Sequence, residues 1–134
     1  MKKDIEEIRS NNQLLAIIIR HSFNQGGLSF ITDDENILQV GYMEHPEDKN
    51  IQPHRHKPFK RETLGTQEFI IIKKGKVRVS FYLSDETFFQ ESILHTGDSV
   101  LLIDGGHGFE TLEPTQMLEI KNGPYAGDED KIKF

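Results

Sequence analysis

Two histidines two residues apart, His54 and His56, open the stretch where reactive side chains are most concentrated. Side chains of an extended segment repeat every second residue, so in Gln52-Pro-His54-Arg-His56 both imidazoles point the same way and can approach one point. Such a pair is a chelator. Glu68 follows at the head of an apolar run, seven residues before Gly75, and His107 comes after Gly105-Gly106. Three imidazoles and a carboxylate form a mixed nitrogen and oxygen donor set, which suits divalent first-row metals such as manganese, iron, cobalt, nickel or zinc. The expectation is a metal site inside a small β-barrel. For the bare histidine pair the competing reading is two solvated side chains on a basic loop.

Other residues could serve a bound molecule. Gln52 shares the face of His54 and could contact a ligand. Arg55, Lys57, Lys60 and Arg61 crowd the segment before Glu68, where cations at a cleft mouth would attract a carboxylate or phosphate. Arg55 alternates with the histidines and faces away, which leaves Arg61 as the substrate-binding candidate, against a reading of simple loop charge. Tyr125, in Gly123-Pro-Tyr-Ala-Gly127, could close the pocket and move a proton, or could merely anchor the tail. His21, His45 and His95 read as structural or solvated.

The elements that must position these groups are short strands. Residues 69–72 and 77–83 flank Lys74-Gly75-Lys76, the strongest hairpin signal in the chain. Residues 14–19, with three consecutive isoleucines, read as a strand, because branched side chains pack well on pleated surfaces. Residues 28–31, 37–43, 87–94 and 99–103 give further strands, and residues 107–112 and 117–121 a last hairpin across Glu113-Pro114. Ile5 and Ile8, three apart, suit a short N-terminal helix or arm. If Glu68 faces inward, so do Ile70 and Ile72, and His107, Phe109 and Thr111 share one face. Residues 69–72 are apolar on both faces, so their outer side calls for cover by a second layer of the same chain or by a partner subunit. Residues 14–19 could supply it, within one subunit or by strand exchange, and a homodimer is expected.

With 134 residues, a formal net charge of −6 and no cysteine, the chain fits one domain, residues 1–134, without disulfides or thiolate metal sites. The acidic balance argues against nucleic acid and anionic membranes as partners and leaves small molecules or proteins. No apolar run is long enough to span a bilayer, and the cytoplasm is the expected location. Nucleophile-elbow, phosphate-loop and His-Glu-x-x-His patterns do not occur.

His54, His56, Glu68 and Gly75 resemble the first motif of the cupin superfamily, and Gly97, Gly105 and His107 resemble the second. The chain is also similar to a group of small single-domain bacterial cupins with Gly-Gly-His-Gly-Phe and Gly-Pro-Tyr-x-Gly stretches, here at 105–109 and 123–127. The spacing from His56 to Glu68 is longer than usual in the family, Asp48, Ile103 and Thr111 replace its usual glycine, proline and asparagine, and His107 falls one residue early. The resemblance implies an all-β jelly-roll barrel, the cupin double-stranded β-helix, holding zinc, nickel, manganese or iron on His54, His56, Glu68 and His107. It further implies Lewis-acid work on a small polar or anionic metabolite such as a sugar derivative. Iron-dependent dioxygenase activity and a non-catalytic ligand-binding or sensing role are the alternatives.

Overall fold

The computed structural model describes residues 4–134, and these residues form antiparallel strands with no α-helix. In chain order the strands are β1 (Ile5–Ser10), β2 (Gln13–Ile19), β3 (Gly27–Phe30), β4 (Gly41–Glu44), β5 (Glu68–Lys74), β6 (Lys76–Tyr82), β7 (Phe88–His95), β8 (Ser99–Leu102), β9 (Gly106–Thr111) and β10 (Gln116–Lys121). A single 3-10 turn, Gly127–Asp130, follows. The chain divides into two compact units: the part up to Phe23 together with Thr66–Phe134, and the intervening Asn24–Gly65. Among the described residues no helix is long and apolar enough to cross a membrane.

In the larger unit one sheet has the order β1-β2-β8-β5-β10 and the other β7-β6-β9. Inward residues of both sheets make one core: Ile18, Ile70, Ile72, Val100 and Leu102 from the first meet Val77, Val79, Phe81 and Leu94 from the second. This arrangement is compatible with a β-sandwich, and the two sheets are not joined by strand pairing into a closed barrel. A buried carboxylate ties three strand ends together, since Asp98 accepts hydrogen bonds from the backbone of His21 and His95, both at 2.8 Å, and from Arg20 at 3.2 Å.

The N-terminal segment is a strand rather than the expected helix or arm. Ile5 and Ile8, being an odd number apart, lie on opposite faces of β1, opposite Ile19 and Ala16 respectively, and both are buried. A sheet with two apolar faces satisfies this three-residue spacing as well as a helix does. The Asn11-Asn12 turn, with Asn11 in the left-handed region at φ 53°, closes the hairpin that a helix would have lacked.

The two expected hairpins at Gly75 and at Glu113-Pro114 are not hairpins. β5 pairs with β8 and β10, whereas β6 pairs with β7 and β9. Both faces of β5 are apolar, so the strand is best placed inside a sheet, and its two neighbours leave no edge for β6. The chain therefore changes sheets at Gly75, where φ is 121°, and changes back at 112–115. The corners meet: Gly75 N–H donates to Thr96 Oγ1 at 2.9 Å, and Leu112 N–H to the Lys76 carbonyl at 2.9 Å.

In the smaller unit β3 pairs only with β4, with Leu28 opposite Met43. The strand expected over 37–43 is confined to Gly41–Glu44, because Gln39 folds back and its Nε2 donates to the carbonyls of Asp33 and Asn36, each at 2.8 Å. Residues 45–65 of this unit contain no helix or strand.

A side chain at Gly75 would place its Cβ 2.8 Å from both the Pro114 carbonyl oxygen and Thr115 Cα, on top of the strain of a positive φ. Gly75→Ala is expected to lower the unfolding free energy by about 2–3 kcal/mol, measured by urea denaturation. A loss below about 0.5 kcal/mol, the range of neutral surface changes, would show that this corner relaxes freely.

Candidate functional site

Strand periodicity brings reactive groups to the inner face of the larger unit. Glu68 lies on the side of β5 that carries Ile70 and Ile72, both buried. His107, Phe109 and Thr111 stand directly opposite Phe81, Val79 and Val77 and so share their inward face. Gly105, at φ 71°, makes the tight turn that starts this strand, and a Cβ there would collide with the Tyr82 carbonyl. Coming from different sheets, Glu68 Oε1 and His107 Nε2 approach to 3.9 Å, with side chains 12% and 30% exposed.

This contact is not an ion pair. Burial first, then a hydrogen bond and repulsion from Glu119, push the Glu68 carboxyl up from 4.5 to about 7, with Lys121 and Lys131 opposing. Burial and then Lys131 hold the His107 imidazole below its ordinary value, with Glu119 pulling the other way. Both groups are thus driven toward their neutral forms, and 3.9 Å is too long for a hydrogen bond. The Glu119 carboxylate is the hydrogen-bonding neighbour that helps to keep the Glu68 carboxyl protonated.

Sequence reasoning missed Glu119, Lys121, Asp130 and Lys131. β10 alternates Met117, Glu119 and Lys121 with Leu118 and Ile120, and its pairing puts Lys121 opposite Glu68 and Glu119 opposite Ile70. Glu119 and Lys121, with Met117, therefore take the side of Glu68 and Ile70, and Leu118 and Ile120 the other side, the reverse of a surface strand, although Glu119 stays exposed. That reversed alternation was the available signal. Asp130 is fixed by a hydrogen bond from the Thr66 hydroxyl and lies 3.9 Å from the Lys121 ammonium.

The remaining expected site residues are in the smaller unit or at the surface. His54 and His56 are exposed and are not on a strand, yet their rings lie 5.4 Å apart, centre to centre. His54 Nδ1 lies 2.9 Å from the Gln52 carbonyl. Donation from Nδ1–H to that oxygen leaves Nε2 with its lone pair, as a metal-ligating imidazole requires. The side chain of Gln52 is exposed, and Arg61 stacks its guanidinium 5.0 Å above the Phe59 ring. Tyr125 is 84% exposed, with the Lys121 ammonium 5.6 Å from its ring centre. Within each unit taken separately, no three His, Asp or Glu side chains among the described residues are gathered as a metal cage. A depression of about 810 Å³ in the larger unit, lined by residues 10–14, 83–85 and Asp104, includes none of the expected donors.

No protein-family model, no curated protein and no solved structure matches this chain.

Folded Glu68 holds its proton more tightly than the unfolded chain does, so its contribution to stability is complete below about pH 4.5 and is lost as the pH rises through about 7. His107, with its folded value depressed, acts in the opposite sense and loses its contribution as the pH falls. Urea unfolding of the wild type and of Glu68→Gln across this window separates the two. The variant is expected to gain stability relative to the wild type as the pH rises from about 5 to about 8; a constant difference would place the proton elsewhere.

Proposed function

We propose that this chain is a metal-binding protein of the cupin type that acts on a small polar or anionic metabolite. His54 and His56 form one donor pair and Glu68 and His107 the other. The observation that carries the reading is the approach of Glu68 and His107 from two different sheets to 3.9 Å, with the Glu68 side chain largely buried and His107 open to solvent at its edge. The donor set fits a divalent zinc, nickel, manganese or iron ion, since it is all imidazole and carboxylate, and the hydrogen-bonded Nδ1 of His54 leaves its Nε2 available. Such an ion supplies Lewis-acid polarisation of a bound carbonyl or hydroxyl.

The protein's own groups do the rest. Ile70 and Ile72 on the Glu68 side of β5, and Phe81 opposite His107, supply a buried apolar wall beside the pair. Glu119 favours a proton on Glu68 beside the site, and Tyr125 is the candidate group for moving one to or from substrate. Gln52 and Arg61 are the candidate substrate contacts of the smaller unit. Leu118 and Ile120, half exposed on the outer side of the edge strand β10, favour a homodimer. Sedimentation should then give twice the chain mass, and a single-chain mass at micromolar concentration would remove that part of the reading.

A second reading is favoured by the raised Glu68 carboxyl: a metal-free site in which Glu68 serves as the acid.

Elemental analysis of untagged protein purified without chelator decides between them, beside the His54→Ala/His107→Ala double variant. The first reading expects about one equivalent of a single transition metal per chain, lost in the folded variant. Iron would direct assays to dioxygen chemistry, and zinc, nickel or manganese to isomerisation or epimerisation of sugar derivatives. No metal in the wild type, and none taken up on addition, would leave the metal-free reading.

A further inference from the structure

Two lysines stand beside Glu68 and His107, and the chain after Asp130 explains how both are held. Lys121 faces Glu68 directly across the β5–β10 pairing. Its side chain is only 25% exposed, and the nearest carboxylate, that of Asp130 (17% exposed), stays 3.9 Å away, beyond hydrogen-bond distance. Among the described residues no acceptor meets its three N–H donors. The ammonium also lies 5.6 Å from the Tyr125 ring centre, and held by this ring and a long ion pair it keeps its N–H donors available to an incoming anion.

Lys131 arrives by a strap. Asp130 is pinned by Thr66, Lys131 is extended at φ −131°, ψ 144°, and Phe134 meets the Tyr82 ring edge-on at 5.1 Å. The same Phe134 ring lies so close to Gly106 that a Cβ there would come within 2.8 Å of it, and Gly106 is the residue before His107. Residues 131–134 therefore lead from the β10 side to the start of β9, across the end of the inner face where Glu68 and His107 lie. Four extended residues reach about 13 Å, enough for the roughly 10 Å between stacked sheets. The positive charge of Lys131 acts on both Glu68 and His107.

We propose that Lys121 and Lys131 form an oxyanion-binding lip on the Glu68–His107 site, so that its ligand carries a carboxylate or a phosphate. A compact tetrahedral or planar oxyanion offers the acceptors that Lys121 lacks, and the exposed Lys131 closes over it from the strap. Arg61, the cation singled out from the sequence, lies in the other unit and already stacks on Phe59. The assignment rests on Glu68 and His107 as the working pair of the site, but not on which metal, if any, they hold.

The test is a titration of the full chain, as purified and after chelator treatment, followed by amide NMR shifts. Inorganic phosphate and malonate are the two probes and distinguish a phosphate ligand from a carboxylate one. At least one should give saturable shifts at Thr66, Lys121 and His107, and Lys131→Gln and Lys121→Gln should each weaken that binding about tenfold, the loss of one charge-assisted contact. Lys74→Gln, at the far end of β5, controls for net charge and should titrate as the wild type does. Lys131 is exposed, so its variant keeps the test valid even if Lys121→Gln fails to fold. No saturable shifts with either probe, wild-type binding by Lys131→Gln, or equal weakening by Lys74→Gln would overturn the assignment. Metal measured on the same samples separates the two ideas: metal without anion binding sinks the lip alone, and anion binding without metal sinks the metal reading alone.

Discussion

A strand that is apolar on both faces must have a neighbour on each side, and β5 imposes that condition on the larger unit. With β8 and β10 filling both of its edges, the next strand has to leave the sheet, and Gly75 is where it leaves. Ile70 and Ile72 then face Val77, Val79 and Phe81 across the core, and the residue two before Ile70 inherits the same inward direction. That residue is Glu68. Its poor solvation is therefore a consequence of the pairing that builds the core, with no separate device needed to bury it.

Much of this was legible in the sequence because it depends on period two alone. The inward set Glu68, Ile70, Ile72 and the shared face of His107, Phe109 and Thr111 follow from alternation and appear as expected. What was illegible depends on partners distant in the chain. Lys74-Gly75-Lys76 has the composition of a hairpin turn, and nothing local shows that β5 has two other partners. Ile5 and Ile8 have helical spacing, and only a sheet covered on both sides makes a strand of them. His54 and His56 were read on an extended segment; their rings are close for a local reason, in a stretch without strand pairing. Glu119 and Lys121 escaped notice because charged residues are ordinarily assigned to the wet face.

The inner face thus combines two demands that oppose each other. A carboxyl kept neutral to about pH 7 is a poor ligand until it gives up its proton, so any cation taken up there must displace one. Glu119 adds to the cost of that displacement, since its hydrogen bond and its charge favour the protonated form of Glu68. Asp130 and Thr66 keep the neighbouring lysine in place meanwhile. The proton on Glu68 therefore answers to one small group of side chains on two strands and a tail, Glu119, Lys121 and Lys131.

The position of β8 has a consequence for the order of assembly. β2 and β5 never pair with each other; each pairs with β8, Ile17 with Leu101 and Phe69 with Leu101, so one short strand joins the two halves of the sheet. During synthesis the β1–β2 hairpin can close by itself, but its Ile-rich edge has no partner until about eighty more residues have been made. Through that interval the growing chain carries an unpaired apolar strand edge, the feature that recruits chaperones and seeds aggregation. Completion of four residues, Ser99–Leu102, turns that liability into the centre of the sheet.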